Sequence, residues 1–237
     1  MNKIEVKILE HNCNNMPAFL ARLTQRGHKI NSMADLLEVY DSAMGGGKKP
    51  SSALMSLPHS TIRRMCYITV AITGLSTKCV SQLRTHAKRL TFISTSTQYS
   101  SFEGRDDNYV IPDFGDDLPA QSEEAEFRAA LADIQGAYNK LIDKGVDRDK
   151  AGYLLPQGLR KALVISGPLD AWQYVLSLRT CKRNTEETQK VCWAIYNAIK
   201  QECGDEFVVG MLPGCLQGGC KEGKFSCGKP YKKEDIV

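Results

Sequence analysis

Residues 66–89 read CYITVAITGLSTKCVSQLRTHAKR. The first seven, 66–72, form a continuous apolar run rich in β-branched residues and bounded by Gly74. Such a run predicts a buried strand. Ser76 is a good helix N-cap, and Cys79, Val80 and Leu83 follow it at helical spacing, so the strand feeds straight into a helix. That helix gives way near Lys88 to LTFISTSTQY, an extended loop or strand over residues 90–99.

Elements of both kinds flank this centre. Residues 3–9 (KIEVKIL) alternate polar and apolar and predict a strand. Residues 17–30 and 31–40 predict helices, with Leu20, Leu23, Met33, Leu36, Leu37 and Tyr40 facing a core. Gly45–Gly47 with Lys48, Lys49, Pro50, Ser51 and Ser52 predicts a surface loop. Downstream, residues 103–119 are acidic and turn-rich. Ser122, Glu123 and Glu124 open a helix that carries Phe127, Ala130, Leu131, Ile134, Tyr138, Leu141 and Ile142 inward and stops at Gly145. Leu159–Ile165 predicts another strand. Residues 169–180 and 185–201 predict two helices, with Trp172, Val175, Leu176, Val191, Cys192, Ile195 and Ile199 inward. The order predicts an α+β fold, a mixed sheet with flanking helices, in one domain over residues 1–237. Its Gly- and Cys-rich tail begins near residue 203.

The chain has 237 residues, 42% of them hydrophobic and 24% charged, with a formal net charge of +4. That composition excludes fibrous and wholly disordered classes. The N-terminus carries Lys3, Glu5, Lys7 and Glu10 and no apolar segment of the secretory kind. No run approaches a membrane span, so a cytoplasmic protein with reduced thiols and no membrane partner is expected. Nine cysteines, an odd number, then need core, ligand or reactive roles.

Chemistry concentrates in three places. Arg84, His86, Lys88 and Arg89 lie within six residues, followed by Thr91, Ser94, Thr95, Ser96, Thr97, Gln98 and Tyr99. Cations beside hydroxyls and backbone N–H groups suit a phosphate-bearing ligand; a solvated basic helix end is the bland alternative. Arg179, Lys182, Arg183 and Asn184 form a second basic cluster after an apolar helix. Cys215, Cys220 and Cys227, with Cys203 upstream, lack the C-x2-C knuckle of a zinc site, and no metal ligand is assigned. The triple glycine does not have phosphate-loop spacing, and G-x-S-x-G and G-x-G-x-x-G are both absent. Basic residues form clusters without interleaved aromatics, so no nucleic-acid partner is expected.

The segment from His59 to Tyr99 resembles the flavin-dependent thymidylate synthases. The pattern runs Pro58-His59-Ser60-Thr61, the apolar strand, Gly74-Leu75-Ser76, Gln82-Leu83-Arg84-Thr85-His86-Ala87 and Ser96-Thr97-Gln98-Tyr99. Leu155-Pro156 and Leu176-Ser177-Leu178-Arg179 match a second family segment, with Pro168 at the place of its asparagine, and Gly214-Cys215 through Cys227-Gly228 matches a third. The resemblance implies the family's fold, FAD between subunits of a homotetramer, and dUMP as substrate. It implies methylenetetrahydrofolate as one-carbon donor and NADPH as reductant. It places substrate at Gln82, Ser96, Gln98, Tyr99 and Arg179, with Arg179 the catalytic group; Ser94 of the polar run and Arg160, a replacement cation, are expected to join them. It places the flavin at His59, Thr85 and His86, with Arg84, Lys88 and Arg89 the nearby cations expected to stand in for the family's missing arginines there. The chain departs from the pattern at Thr85 and Ala87, which replace the two arginines of R-H-R, and at Gln98, which replaces the arginine of S-x-R-Y. Met65 and Gly152 replace a histidine and an arginine, and the gap to Ser96 is one residue longer. Lys88 or Arg89, shifted by that residue, is expected to restore a phosphate contact. The alternatives are a relative acting on another pyrimidine nucleotide and a non-catalytic flavin- or nucleotide-binding protein.

Overall fold

A computed structural model describes residues 3–45, 52–56, 60–104, 108–232 and 234. The expectations placed on His59 and on residues 46–51 lie outside the described residues. Four strands are present: β1 (Glu5–His11), β2 (Tyr67–Ser76), β3 (Thr91–Ser94) and β4 (Arg160–Pro168). The helices are α1 (Met16–Gln25), α2 (Met33–Met44), α3 (Ser52–Ser56), α4 (Thr61–Met65), α5 (Thr77–Arg84), α6 (Leu118–Asp143), α7 (Arg148–Ala151), α8 (Leu169–Arg179) and α9 (Glu186–Cys203). The sheet order is β1-β2-β4-β3, so the α+β class holds.

The pairings run antiparallel. Leu169 N–H donates to Cys66 O, and Thr69 and Ser166 share a hydroxyl hydrogen bond, so partners advance on β2 as they retreat on β4. The sheet is therefore more regular than the mixed one expected from the sequence. It is also less buried than the apolar run suggests. Along β2, Ile68, Val70 and Ile72 are buried while Tyr67 is half exposed. One face meets the core and the other does not, as in many antiparallel sheets. Gly74 lies inside the strand and does not bound it. Its φ is +81°, and a Cβ there would stand 2.3 Å from the Lys3 carbonyl oxygen, so only glycine lets the chain at Lys3 approach.

The chain divides into two compact units. The first holds residues 3–5, Ile72–Thr85 and Ile93–Val164. Tyr109, Leu131 and Leu159 form its apolar cluster, flanked by Phe102, Ile111, Phe127 and Leu155. Gln135 on α6 fastens the segment between β3 and α6. Its Oε1 accepts from Tyr109 and Asn108, and its Nε2 donates to Phe102 O at 2.8 Å. Helix α6 begins at Leu118, earlier than the Ser122 start expected. Asp117 caps it through the Ala120 N–H and Pro119 sits in its first turn, so residues read as turn-formers in fact open the helix. Ala130 is exposed, not inward. Asp117→Ala should cost about 1 kcal/mol, seen as a lower urea midpoint at unchanged slope.

The second unit holds Val6–Ala71, His86–Phe92 and Ile165–Val237. Helices α8 and α9 pack together in it. Trp172, Val175 and Leu176 of α8 and Val191, Cys192, Ile195 and Ile199 of α9 are buried, as their spacing predicts. The Trp172 indole N–H donates to Ile68 O at 3.1 Å, tying α8 to β2. Residues 17–30 do not form one helix: α1 ends at Gln25, and Gly27–Lys29 make a single tighter turn. No described helix is long and apolar enough to cross a membrane.

Candidate active site

In the second unit the basic turn after α5 meets the end of α8. His86 lies 93 residues from Arg179 in sequence, yet the Arg179 Nε–H donates to His86 Nε2 at 2.9 Å. This bond makes Nε2 the acceptor nitrogen and leaves the ring proton on Nδ1. Burial, then the charges of Arg179 and Arg89, push the His86 pKa below the usual histidine value. The imidazole is neutral at pH 7. Its folded pKa is the depressed one, so the neutral form contributes stability above the ordinary histidine range. That contribution is lost as pH falls through the lowered pKa.

Arg179 is held from its far side. Its Nη1 donates to Asn184 Oδ1 at 2.8 Å, and the Asn184 amide donates to the Leu178 and Cys181 carbonyls. The guanidinium is thus fixed at the C-terminal end of α8, where a cation also suits the helix dipole. Tyr174, one turn earlier on α8, meets His86 edge-on with centroids 6.1 Å apart. The Arg89 guanidinium lies 4.1 Å from the centre of the Tyr174 ring. Arg89 and Lys88 are exposed.

In the first unit, Arg84 Nη2 donates to Ser94 Oγ at 2.9 Å. Lys161 is one residue that sequence reasoning missed. It is buried on β4, and its Nζ donates to Thr95 O at 3.0 Å and lies 5.3 Å from the Phe102 ring centre. Burial, then Arg84, lowers its pKa. The available signal was strand alternation, since Lys161, Leu163 and Ile165 share the inward face. Ser96 Oγ accepts from the Gln98 N–H at 3.1 Å, shaping a tight turn after β3. The Gln98 and Tyr99 side chains are exposed. Thr85 Oγ1 donates to Gln82 O and so closes the end of α5. Gly152, the other departure nearby, lies against the same turn: a Cβ there would stand 3.4 Å from Thr97 O, ordinary contact, so nothing in the structure requires the glycine. Arg160, at the start of β4, donates its backbone N–H to Asn108 O at 2.7 Å.

The structure thus joins His86 with Arg179, Arg89 with Tyr174, and Arg84 with Ser94. Tyr174, Asn184 and Lys161 enter without having been singled out as ligand residues. A neutral imidazole, a fixed guanidinium and one exposed cation on an aromatic ring are groups whose chemistry suits an anionic, flat-ringed ligand. The family profile described as "Thymidylate synthase complementing protein" matches residues 7–203. The chain belongs to this family, and is an enzyme of the flavin-dependent thymidylate synthase class.

The flavin-dependent thymidylate synthase of Geobacter sulfurreducens is 27% identical over 212 residues, covering 90% of this chain and 88% of its own. That of Thermococcus onnurineus is 26% identical over 178 residues, covering 73% and 71%. Two solved structures share the fold. The UMP/dUMP methylase PolB of Streptomyces cacaoi, bound with 5-Br dUMP, matches with a TM-score of 0.63 at 17% identity, covering 89% of this chain and 95% of its own. Thymidylate synthase X of Helicobacter pylori, with FAD and dUMP, matches with a TM-score of 0.61 at 16% identity, covering 87% and 99%.

Proposed function

We propose that this chain is an FAD-dependent thymidylate synthase that reductively methylates dUMP to dTMP. Methylenetetrahydrofolate is the one-carbon donor and NADPH the reductant, in a cytoplasmic homotetramer. The observation that carries the reading is the Arg179–His86 hydrogen bond at 2.9 Å. It unites the residue that the resemblance places by the flavin with the one it places on the pyrimidine.

The donor set fits FAD. Lys88 and Arg89 offer exposed cations for a pyrophosphate, and His86 and Tyr174 offer ring surfaces for a flat heterocycle. When bound, the flavin supplies hydride chemistry. The protein's residues do the rest. Arg179 holds a pyrimidine oxygen and stabilises negative charge that develops on the ring. His86, neutral, accepts the Arg179 N–H and fixes the direction of the guanidinium. Arg84, Ser94, Ser96 and the backbone of the turn after β3 bind phosphate, with Lys161 adding positive charge from below Thr95. Gln82, Gln98, Tyr99 and Arg160 complete the substrate contacts. His59 and Thr85 complete those to the flavin.

A second reading has a particular observation behind it. The Gln98 side chain is exposed where the family carries an arginine, and the Streptomyces cacaoi relative is a UMP/dUMP methylase. A relaxed choice between UMP and dUMP is consistent with both. One experiment decides: FAD-loaded protein is incubated with methylenetetrahydrofolate, NADPH and either nucleotide, and methylated product is measured. Methylated product from dUMP alone supports the first reading, and product from UMP as well supports the second. Colourless protein that cannot be loaded with FAD defeats both.

A further inference from the structure

Three thiols and an imidazole converge elsewhere in the second unit. His11 closes β1, Cys13 follows in the next turn, Cys66 immediately precedes β2, and Cys203 ends α9. The β1–β2 pairing brings the first three together. Asn12, between two of them, fixes the register: its N–H donates to Tyr67 O, its Oδ1 accepts from Tyr67 N–H, and its Nδ2 donates to Met65 O. Cys13, Cys66 and Cys203 are fully buried. The ligand atoms of His11, Cys13 and Cys203 all lie within 4.8 Å of one another. Hydrogen-bonding contact with Cys203 and Cys66, then burial, keeps the Cys13 thiol protonated well above the usual thiol range.

Buried cysteines are often just small apolar residues. The histidine argues otherwise here. His11 Nδ1 is buried with no hydrogen-bond partner, a costly state for a ring nitrogen. His11 Nε2 lies 3.9 Å from the Glu202 carboxylate, and the side chain is only 12% exposed. A carboxylate near one ring nitrogen, with the other nitrogen buried and unsatisfied, resembles the outer arrangement of a metal-bound histidine, whose free N–H goes to a carboxylate.

We propose that His11 Nδ1 and the sulfurs of Cys13, Cys66 and Cys203 form a buried tetrahedral site for zinc. Thiolates around such an ion stand roughly 3.8 Å apart for bonds of about 2.3 Å. The observed spread of His11, Cys13 and Cys203 therefore needs only small side-chain rotations, and Cys66, in hydrogen-bonding contact with Cys13, turns in to complete the four. On binding, the three thiols release their protons to solvent and Cys66 gives up its Sγ–H bond to Ile62 O. The ion pins β1 and the turn after it to the end of α9. Its role is structural, independent of the nucleotide reading. Cys215, Cys220 and Cys227 are half or fully exposed and take no part.

The test uses the full-length chain, purified under reducing conditions without chelator. About one zinc per chain is expected. Cobalt loading should give the intense visible bands of a tetrahedral ion and thiolate-to-cobalt charge transfer. Glu202→Gln, a change at an exposed side chain, should weaken zinc binding by roughly 10–100-fold. Cys13→Ser and Cys203→Ser should lose the cobalt bands, while Cys220→Ser keeps them. Should the serine variants not fold, chelator stripping of the wild type reads the same point: the thermal midpoint falls and zinc restores it. Zinc-free protein whose cobalt spectrum lacks charge transfer overturns the proposal. So does a disulfide between Cys13 and Cys203 found by mass mapping, or unchanged zinc affinity in Glu202→Gln.

Discussion

Arg179→Ala should lower kcat by about 10²–10³-fold, the range for removing a fixed donor aimed at developing charge. KM for the nucleotide should rise far less, because the interaction strengthens as charge appears on the ring. Asn184 keeps its bonds to the Leu178 and Cys181 carbonyls, so the end of α8 survives the change. A second readout separates this from general damage. Arg179 is one of the charges that lower the His86 pKa, so the acid limb of the rate profile should move to higher pH in Arg179→Ala. Arg179→Lys returns the charge without the fork, so it should restore the limb's position but little of the rate. An unmoved limb in Arg179→Ala together with near-normal kcat defeats the assignment of both residues.

Trp172→Ala should cost about 3–5 kcal/mol of stability. The indole is 1% exposed, and its N–H satisfies the Ile68 carbonyl near the start of β2. Alanine leaves a cavity between helix and sheet and a buried carbonyl without its donor, two separate penalties. For a chain of this size the thermal midpoint should drop by roughly 10 °C or more. Trp172→Phe restores much of the volume but not the donor, so its loss isolates the hydrogen bond. Equal losses in the two variants would mean that the cavity contributes nothing.

Periodicity carried most of the fold. The inward residues of α8 and α9 were readable because both helices bury one stripe against a neighbour. β2 misled because its outer face also carries apolar residues, so a strand buried on one face reads as a continuous run. The start of α6 was obscured by Pro119 and Asp117, which favour turns and helix entries alike. At the site, His86 and Arg179 were readable because each sits in its own short motif. Their hydrogen bond was not, since nothing local encodes a contact across 93 residues. Lys161 hid as one charge in an alternating strand. The convergence of His11, Cys13, Cys66 and Cys203 is not legible either, because the four lie in three distant stretches of the chain.

The chain has two tryptophans, and their surroundings differ in a useful way. Trp172 is enclosed between helix and strand. Trp193 on α9 is covered by the tail: its indole N–H donates to Tyr231 Oη, the two rings meet edge-on at 5.5 Å, and Lys182 lies 4.2 Å from the same tyrosine ring. Arg183 and Glu222 form an ion pair that fastens the tail further upstream. Intrinsic fluorescence therefore has two separable sources. Lifting of the tail should quench and red-shift the Trp193 emission alone, while global unfolding shifts both. A Trp193→Phe chain would then be silent to the first event and would still report the second.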